Sequence, residues 1–182
     1  MKKKILGLFL VLTLLLTACG NSKTGNTLTP PEPGPTEAPL SDTDEARAKR
    51  AEDVRTANTI AAAVQTALQD KRILDSIQNL DVRTFDIEQP KATNGDDENP
   101  SIAFAYIDKE MCDGLSLLTE EVSLSLGKKS PEIKYTDENW NPTVWRIWVK
   151  TDNSVEVVLV DTGKEGASGL RTLYPVVDPS YQ

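Results

Sequence analysis

The chain has 182 residues with 28 acidic and 20 basic side chains, a formal net charge of −8, and no histidine. Without histidine it cannot form serine–histidine or cysteine–histidine nucleophile pairs or the usual zinc ligand sets, and its negative charge makes nucleic acid an unfavourable partner. The composition therefore predicts a protein that is not an enzyme, with no catalytic residues, no metal and no cofactor.

Residues 1–18 have the three-part pattern of a secretory signal peptide. Three lysines precede the apolar run ILGLFLVLTLLL at residues 5–16, and small residues follow it. Such a run extends only about 18 Å as a helix, well short of the ~30 Å hydrocarbon core, so it is too short for a permanent membrane span. We expect its removal, which takes three of the 20 basic residues and leaves 17 against 28 acidic ones, a net charge of −11.

The end of this signal resembles the lipobox of bacterial lipoproteins in its sequence of Leu16, Thr17, Ala18 and Cys19. The resemblance implies cleavage between Ala18 and Cys19 and attachment of a diacylglycerol to the Cys19 thiol. Two acyl chains anchor a protein stably, whereas one binds a bilayer only marginally. The expected location is the cell membrane, where the lipid holds the protein on the extracytoplasmic face.

Residues 19–43 form the lipidated cysteine and a linker rich in Pro, Thr and Ser. The linker has almost no large apolar side chains, so it cannot offset the entropy of ordering itself. Its five prolines favour an extended polyproline II conformation with a reach of up to roughly 70 Å. We interpret it as a stalk that holds a folded domain, residues 44–182, away from the membrane.

A helix is predicted to begin after Ser41 or Asp42 and to continue through residues 44–80, which contain no Gly or Pro. One stripe of this helix is apolar and predicted to face a core. The stripe comprises Val54, Ala57, Ala61, Val64 and Leu68.

The middle of the domain mixes strand and helix patterns. Residues 82–88 have strand-like content, and residues 101–107 are ambiguous between strand and helix. Residues 108–126 return to helical spacing, with Gly127 as the predicted C-cap. The apolar side of that helix comprises Met111, Leu115, Leu118 and Val122.

The clearest β signal is a hairpin at residues 143–163, where two runs of β-branched and aromatic residues flank Asp152 and Asn153. A two-residue loop there predicts the pairs Ile147–Val158 and Trp145–Val160. A third strand at 170–177 continues the meander, and residues 133–136 are a candidate short edge strand. The predicted fold class is α+β, a long N-terminal helix packed on a C-terminal antiparallel β-sheet.

Residues 44–182 resemble the globular heads of type IV pilins and type II secretion pseudopilins. The segment ARAKRAEDVRTANTIAAAVQTALQD resembles the solvent-side half of their long N-terminal helix. The Trp-rich hairpin and the closing LYPVVDPSY are similar to the closing strands of Gram-positive pilin-like proteins. It implies a pilin-like head whose N-terminal helix lies across the sheet. The prepilin peptidase site and the polymerising apolar helix of pilins have no counterpart, so the resemblance does not extend to assembly into a filament shaft.

Three tryptophans lie close together near the hairpin, and Trp140 and Trp148 are the candidate contact surface. Cys112 is expected to be a small buried residue. The predicted function is that of a membrane-anchored lipoprotein with a non-catalytic interaction domain, contacting a surface filament or another envelope protein. The alternative is a module that binds cell-wall glycan or a small ligand, which predicts exposed Trp140 and Trp148 beside a groove.

Overall fold

The structure, a computed structural model, describes residues 40–90, 101–164 and 169–182. The predicted signal peptide at 1–18, the lipobox residues Ala18 and Cys19, and the linker as far as residue 39 lie outside the described residues. The signal peptide, the lipid anchor and the stalk therefore stay predictions. None of the helices in the described ranges is long and apolar enough to cross a membrane.

The first helix, α1, spans Asp44–Ala67. Its N-cap is Thr43 rather than Ser41 or Asp42, because the Thr43 hydroxyl accepts the backbone N–H of Ala46 at 3.1 Å. The predicted apolar stripe is confirmed, with one member only half-buried. Ala57, Ala61, Val64 and Leu68 are buried, and Val54 is half-buried.

The predicted helix does not run unbroken to residue 80. It stops at Ala67, and a second helix, α2, spans Lys71–Ile77. Asp70 is the N-cap of α2, and its carboxylate accepts the backbone N–H of Arg72 at 2.8 Å. Short acidic side chains compete for backbone N–H groups and favour caps over helix interiors, so the break needs neither Gly nor Pro.

Five strands form one antiparallel sheet in the order β2-β1-β3-β4-β5. Their bounds are β1 Thr84–Glu88, β2 Ala103–Ala105, β3 Val144–Val149, β4 Val155–Val160 and β5 Leu170–Tyr174. With three α-helices, the sheet confirms an α+β fold. The ambiguous 101–107 segment is a short strand, and it lies at one edge of the sheet.

The β3–β4 hairpin has a three-residue loop instead of the predicted two-residue one. Lys150 donates its N–H to Ser154 O at 2.8 Å, and Asn153 takes the left-handed conformation at φ 63°. The extra loop residue shifts the register by one, so the predicted pairs are wrong. The observed pairs are Ile147 with Val157 and Trp145 with Leu159.

The third helix, α3, spans Lys109–Ser125 and buries the predicted stripe of Met111, Leu115, Leu118 and Val122. The C-cap is Leu126 rather than the predicted Gly127, and Gly127 follows it in the left-handed region at φ 69°. α1 packs on β4 and β5, whereas α3 packs on α1, α2 and β1. Both helices cover the same face of the sheet, and we call the opposite side the outer face.

Residues 133–136 are not a strand. The backbone N–H groups of Lys134 and Tyr135 donate instead to the carboxylate of Asp53 on α1, at 2.7 and 3.0 Å. A helix side chain thus takes the bonds that a neighbouring strand would have made. Sequence periodicity could not reveal this because the acceptor lies about eighty residues earlier in the chain.

Candidate contact surface

The two predicted contact tryptophans lie in different environments. Trp140 is fully buried, with the Arg171 guanidinium carbon 4.9 Å from its ring centroid, so the prediction that it presents an exposed face is wrong. Trp148 is half-buried on the outer face, opposite Glu156 of β4. The structure does not bring the two rings together, because one sits in the core and the other on the outer face.

Asp53 is the centre of a buried polar cluster on α1. Besides Lys134 and Tyr135, its carboxylate accepts the Tyr181 hydroxyl at 2.6 Å. Burial raises the pKa of Asp53 above its ordinary 3.8, although the three hydrogen bonds oppose that shift. Burial, followed by the charge of Asp53, raises the pKa of Tyr181 far above the range of a free phenol. The cluster ties α1, the 133–135 segment and the C-terminus together.

The C-terminal segment, residues 175–182, folds back over part of the β5 edge of the sheet through one backbone hydrogen bond, and we call this the sealed edge. Asp161 N donates to Gly169 O at 2.9 Å, so residue 169 turns its backbone groups toward the neighbouring strand. Successive residues of an antiparallel strand turn their backbone groups alternately toward and away from that neighbour, so the N–H and C=O of Thr172 face away from β4. Asp178 N donates to Thr172 O at 2.8 Å. Because Tyr181 then reaches Asp53, the segment is fixed at both ends.

The opposite edge, formed by β2, has no further strand beside it within the described ranges, and we call it the open edge. Gln89 N, at the end of β1, donates to Thr143 O on the β3 side, so by alternation the backbone groups of Asp86 and Glu88 point to the opposite side, toward β2. There Asp86 pairs with Ala105 and Glu88 with Ala103. The intervening residue, Phe104, therefore turns its N–H and C=O away from the sheet. Within the described ranges, no group bonds to the Phe104 backbone on that side.

One end of this open edge is closed by the chain that follows α3. Lys128 O accepts the N–H of Ile102 at 3.1 Å, and Lys129 forms an isolated bridge with Ser101. Within the described ranges, the free backbone groups of this edge are thus the C=O of Ile102 and the groups from Phe104 onward.

A groove of about 430 Å³ runs beside the open edge, between β2 and α3. Its strand wall is apolar and half-buried, formed by Ile102, Phe104 and Tyr106. The Phe104 ring packs edge-on against Phe85, with 5.8 Å between ring centroids. The helix wall is mostly polar and is lined by Ser116, Thr119, Glu120, Ser123 and Leu124.

A hydrogen bond of 2.7 Å between the Tyr106 and Thr119 hydroxyls joins the two walls. Burial raises the pKa of Tyr106, and the Thr119 bond partly opposes that rise. Thr119 itself is buried and bonds back to the carbonyl of Leu115, so the base of the groove is held by side chains fixed in the core. We call the open edge of β2 and this groove together the contact groove.

Nothing in the described ranges offers three or more His, Cys, Asp or Glu side chains placed to hold a metal ion. Cys112 is exposed on α3, contrary to the expectation that it is buried. Comparison with models of known families, with curated proteins and with solved structures found no match in any of the three.

The contact groove was not predicted from the sequence. The run SIAFAYI shows the alternation of small and large residues that makes one side of β2 apolar, and it was the available signal. What the sequence could not show is that this strand lies at an edge, because strand order depends on contacts between distant parts of the chain.

Proposed function

We propose that the protein is a lipoprotein held on the extracytoplasmic face of a bacterial membrane by Cys19, with a pilin-like, non-catalytic domain that acts by contact. Its partner is a protein of a surface filament or of the cell envelope. The observation that carries this proposal is the lipobox from Leu16 to Cys19, which follows a short apolar run and precedes a proline-rich stalk. The contact of α1 with β4 and β5 is compatible with the resemblance to pilin heads.

The contact groove supports the interaction role. An exposed sheet edge beside a partly apolar groove is a surface that other chains recognise, and natural proteins usually cover such edges. Within the described ranges, the C-terminal segment covers part of one edge of the sheet, and no backbone group pairs with Phe104 at the other.

Fatty-acid labelling tests the anchor. The intact chain is expected to incorporate a labelled acyl chain when it is made in a bacterial host, and Cys19→Ser is expected to lose the label and release the protein from the membrane fraction. Labelling that persists in the Cys19→Ser variant, or a mature N-terminus at another residue, contradicts the proposal.

Photocrosslinking tests the contact role in intact cells. A photoreactive amino acid at exposed Ala103 beside the groove is expected to capture an envelope protein, whereas the same residue at exposed Ala51 on α1 is expected to capture none. Equal capture from both positions, or from neither, contradicts a contact role for the groove.

A glycan-binding role is the second candidate, and half-exposed Trp148 favours it. Its ring lies on the outer face near the ion pair of Arg146 and Asp86. Cell-wall polysaccharide is then expected to change Trp148 fluorescence and to protect it from a soluble quencher, and Trp148→Phe is expected to abolish the change. An unchanged spectrum at saturating polysaccharide rules this candidate out.

A further inference from the structure

We propose that the contact groove receives an extended, basic segment of a partner protein, which adds to the sheet as a sixth strand beside β2. The inference rests on the proposed contact function and specifies the chemistry of the partner segment. It follows from three properties of the edge: its free backbone groups, its apolar strand wall and the charge on either side of it.

The backbone of β2 supplies the pairing groups. Phe104 presents both its N–H and its C=O to the open side, and the N–H of Tyr106 faces the same way by the alternation of the strand. Ile102 contributes only its C=O, because its N–H is already bonded to Lys128 O. An added strand therefore pairs along residues 104–106. It cannot extend past Ile102, because Lys128 already occupies the edge there.

The groove selects apolar side chains on one side of the added strand. Side chains that point toward α3 meet the half-buried rings of Phe104 and Tyr106 and the exposed side chain of Leu124, which is 50% accessible. Cross-strand contacts between aromatic and branched apolar residues stabilise antiparallel pairs. Valine or isoleucine at alternate positions of the partner segment fits these contacts.

The outer face selects basic side chains on the other side of the strand. Ala103 and Ala105 are the β2 residues that point outward, and their short side chains leave a path across the strand to Glu88 and Asp86 on β1. Asp86 already forms a two-pronged ion pair with Arg146, at 2.8 and 2.7 Å. Glu88 is exposed, and no cation in the described ranges lies within ion-pairing distance of it.

Charge on the helix wall and over the whole chain agrees with this choice. Glu120 lines the groove on α3, and the net charge of the chain is −8. An acidic surface attracts basic segments and repels a second copy of itself. Lys128 lines the closed end of the groove, and Lys129 bridges Ser101 at the same end of the edge. The basic side chains of the partner are therefore expected on the outer face beside Glu88, away from that closed end and not inside the groove.

The test uses synthetic peptides of about seven residues, the length of an ordinary strand, and the full chain in nonionic detergent. The first peptide alternates valine and lysine. The controls replace lysine with glutamate, scramble the alternation, or methylate the backbone nitrogens on the side that pairs with β2. We expect binding of the first peptide, with shifts in the amide signals of Phe104 and Tyr106, and at least about tenfold weaker binding of each control. Equal binding of the methylated or the glutamate peptide overturns the proposal.

Matched protein variants test the position of the site. Ala103→Lys closes the path to Glu88 and adds a positive charge, so it is expected to weaken binding about tenfold, whereas Ala51→Lys adds the same charge on the exposed side of α1 and is expected to change it less than about twofold. Glu88→Gln is expected to weaken binding about threefold, and Glu52→Gln to leave it unchanged. Equal effects within either pair overturn the proposal.

Two other occupants are distinguishable outcomes that also overturn it. Sedimentation that shows a dimer of the chain, dissociated by Ala103→Lys, assigns the edge to a second copy. Peptide binding that appears only after deletion of residues 20–39 assigns it to the stalk of the same chain. If Ala103 crosslinks to an envelope protein in cells while no peptide binds, the contact function stands and the added strand does not.

Discussion

The two edges of the sheet are treated in opposite ways. At β5 the chain folds back, Asp178 bonds to Thr172 O, and Tyr181 fixes the returning segment to the buried carboxylate of Asp53. At β2 the backbone of Phe104 is left without a partner in the described ranges, beside a groove. Within the part of the chain that the structure describes, a returning segment therefore covers one edge of the sheet and not the other.

The sealed edge depends on a buried charge, whereas the open edge depends on half-buried apolar rings. Buried polar groups are costly to leave unpaired, so changes at the sealed edge are expected to affect stability. Changes at the open edge are expected to affect binding with little loss of stability, because its side chains remain partly in contact with water.

The largest expected effect is that of Asp53→Ala. The substitution leaves the N–H groups of Lys134 and Tyr135 and the hydroxyl of Tyr181 without their acceptor, and we expect the free energy of unfolding to fall by about 3–5 kcal/mol. Urea denaturation measures the loss. Glu52→Ala, one residue earlier and exposed, is the matched control and is expected to leave stability unchanged; a similar loss in both variants contradicts the assigned role of Asp53.

A tyrosine-to-phenylalanine pair compares the two edges directly. Tyr181→Phe removes the hydroxyl bonded to buried Asp53 and is expected to cost about 2 kcal/mol. Tyr106→Phe removes the bond to Thr119 at the groove and is expected to cost about 1 kcal/mol or less, since Tyr106 is only half-buried. A larger loss of unfolding free energy in Tyr106→Phe than in Tyr181→Phe contradicts this difference between the two edges.

The pH dependence of stability is a smaller effect with a defined sign. The folded-state pKa of Asp53 is raised above 3.8, so folding favours its protonated form, and its contribution to stability falls as pH rises from 3.8 through the folded pKa. We expect the stability of the wild type relative to Asp53→Asn to be greatest below pH 3.8 and to decline as the pH rises through the folded-state pKa of Asp53. A relative stability that instead increases with pH contradicts the raised pKa.

Asp137, near the start of α1, is expected to behave in the opposite way. Burial acts to raise its pKa, but hydrogen bonds from the Tyr135 hydroxyl and from the N–H groups of Ser41 and Asn139 outweigh that effect and lower it. Its contribution is present above pH 3.8 and is lost as pH falls through the folded pKa. The wild type is therefore expected to lose stability relative to Asp137→Asn on acidification, and equilibrium unfolding at a series of pH values measures the difference.

Local patterns predicted most of the elements and few of their relations. Helical spacing located α3 and the buried stripe of α1, and β-branched and aromatic runs located β3 and β4, because each pattern reflects a face that the element itself buries. The hairpin register was wrong by one residue, because loop geometry depends on a single left-handed residue, Asn153.

The candidate surface was predicted less well than the fold. Trp140 was a candidate for the contact surface because aromatic residues are frequent at interfaces. It is instead buried, with the Arg171 guanidinium over its ring, and sequence spacing gives no sign of that contact. Asp53 was missed because an acidic residue among other charged residues on a helix gives no sign of burial. The groove was missed because it lies between β2 and α3, and only the folded sheet order makes β2 an edge.

Hydrogen–deuterium exchange of single amides tests the central claim, that one edge is sealed and the other open. The N–H of Phe104 is expected to exchange at least about tenfold faster than those of Ala103 and Ala105, which face β1, and faster than that of Asp178, which bonds to Thr172 O. Uniform protection from Ala103 to Tyr106 in the protein alone, or rapid exchange at Asp178, contradicts the account.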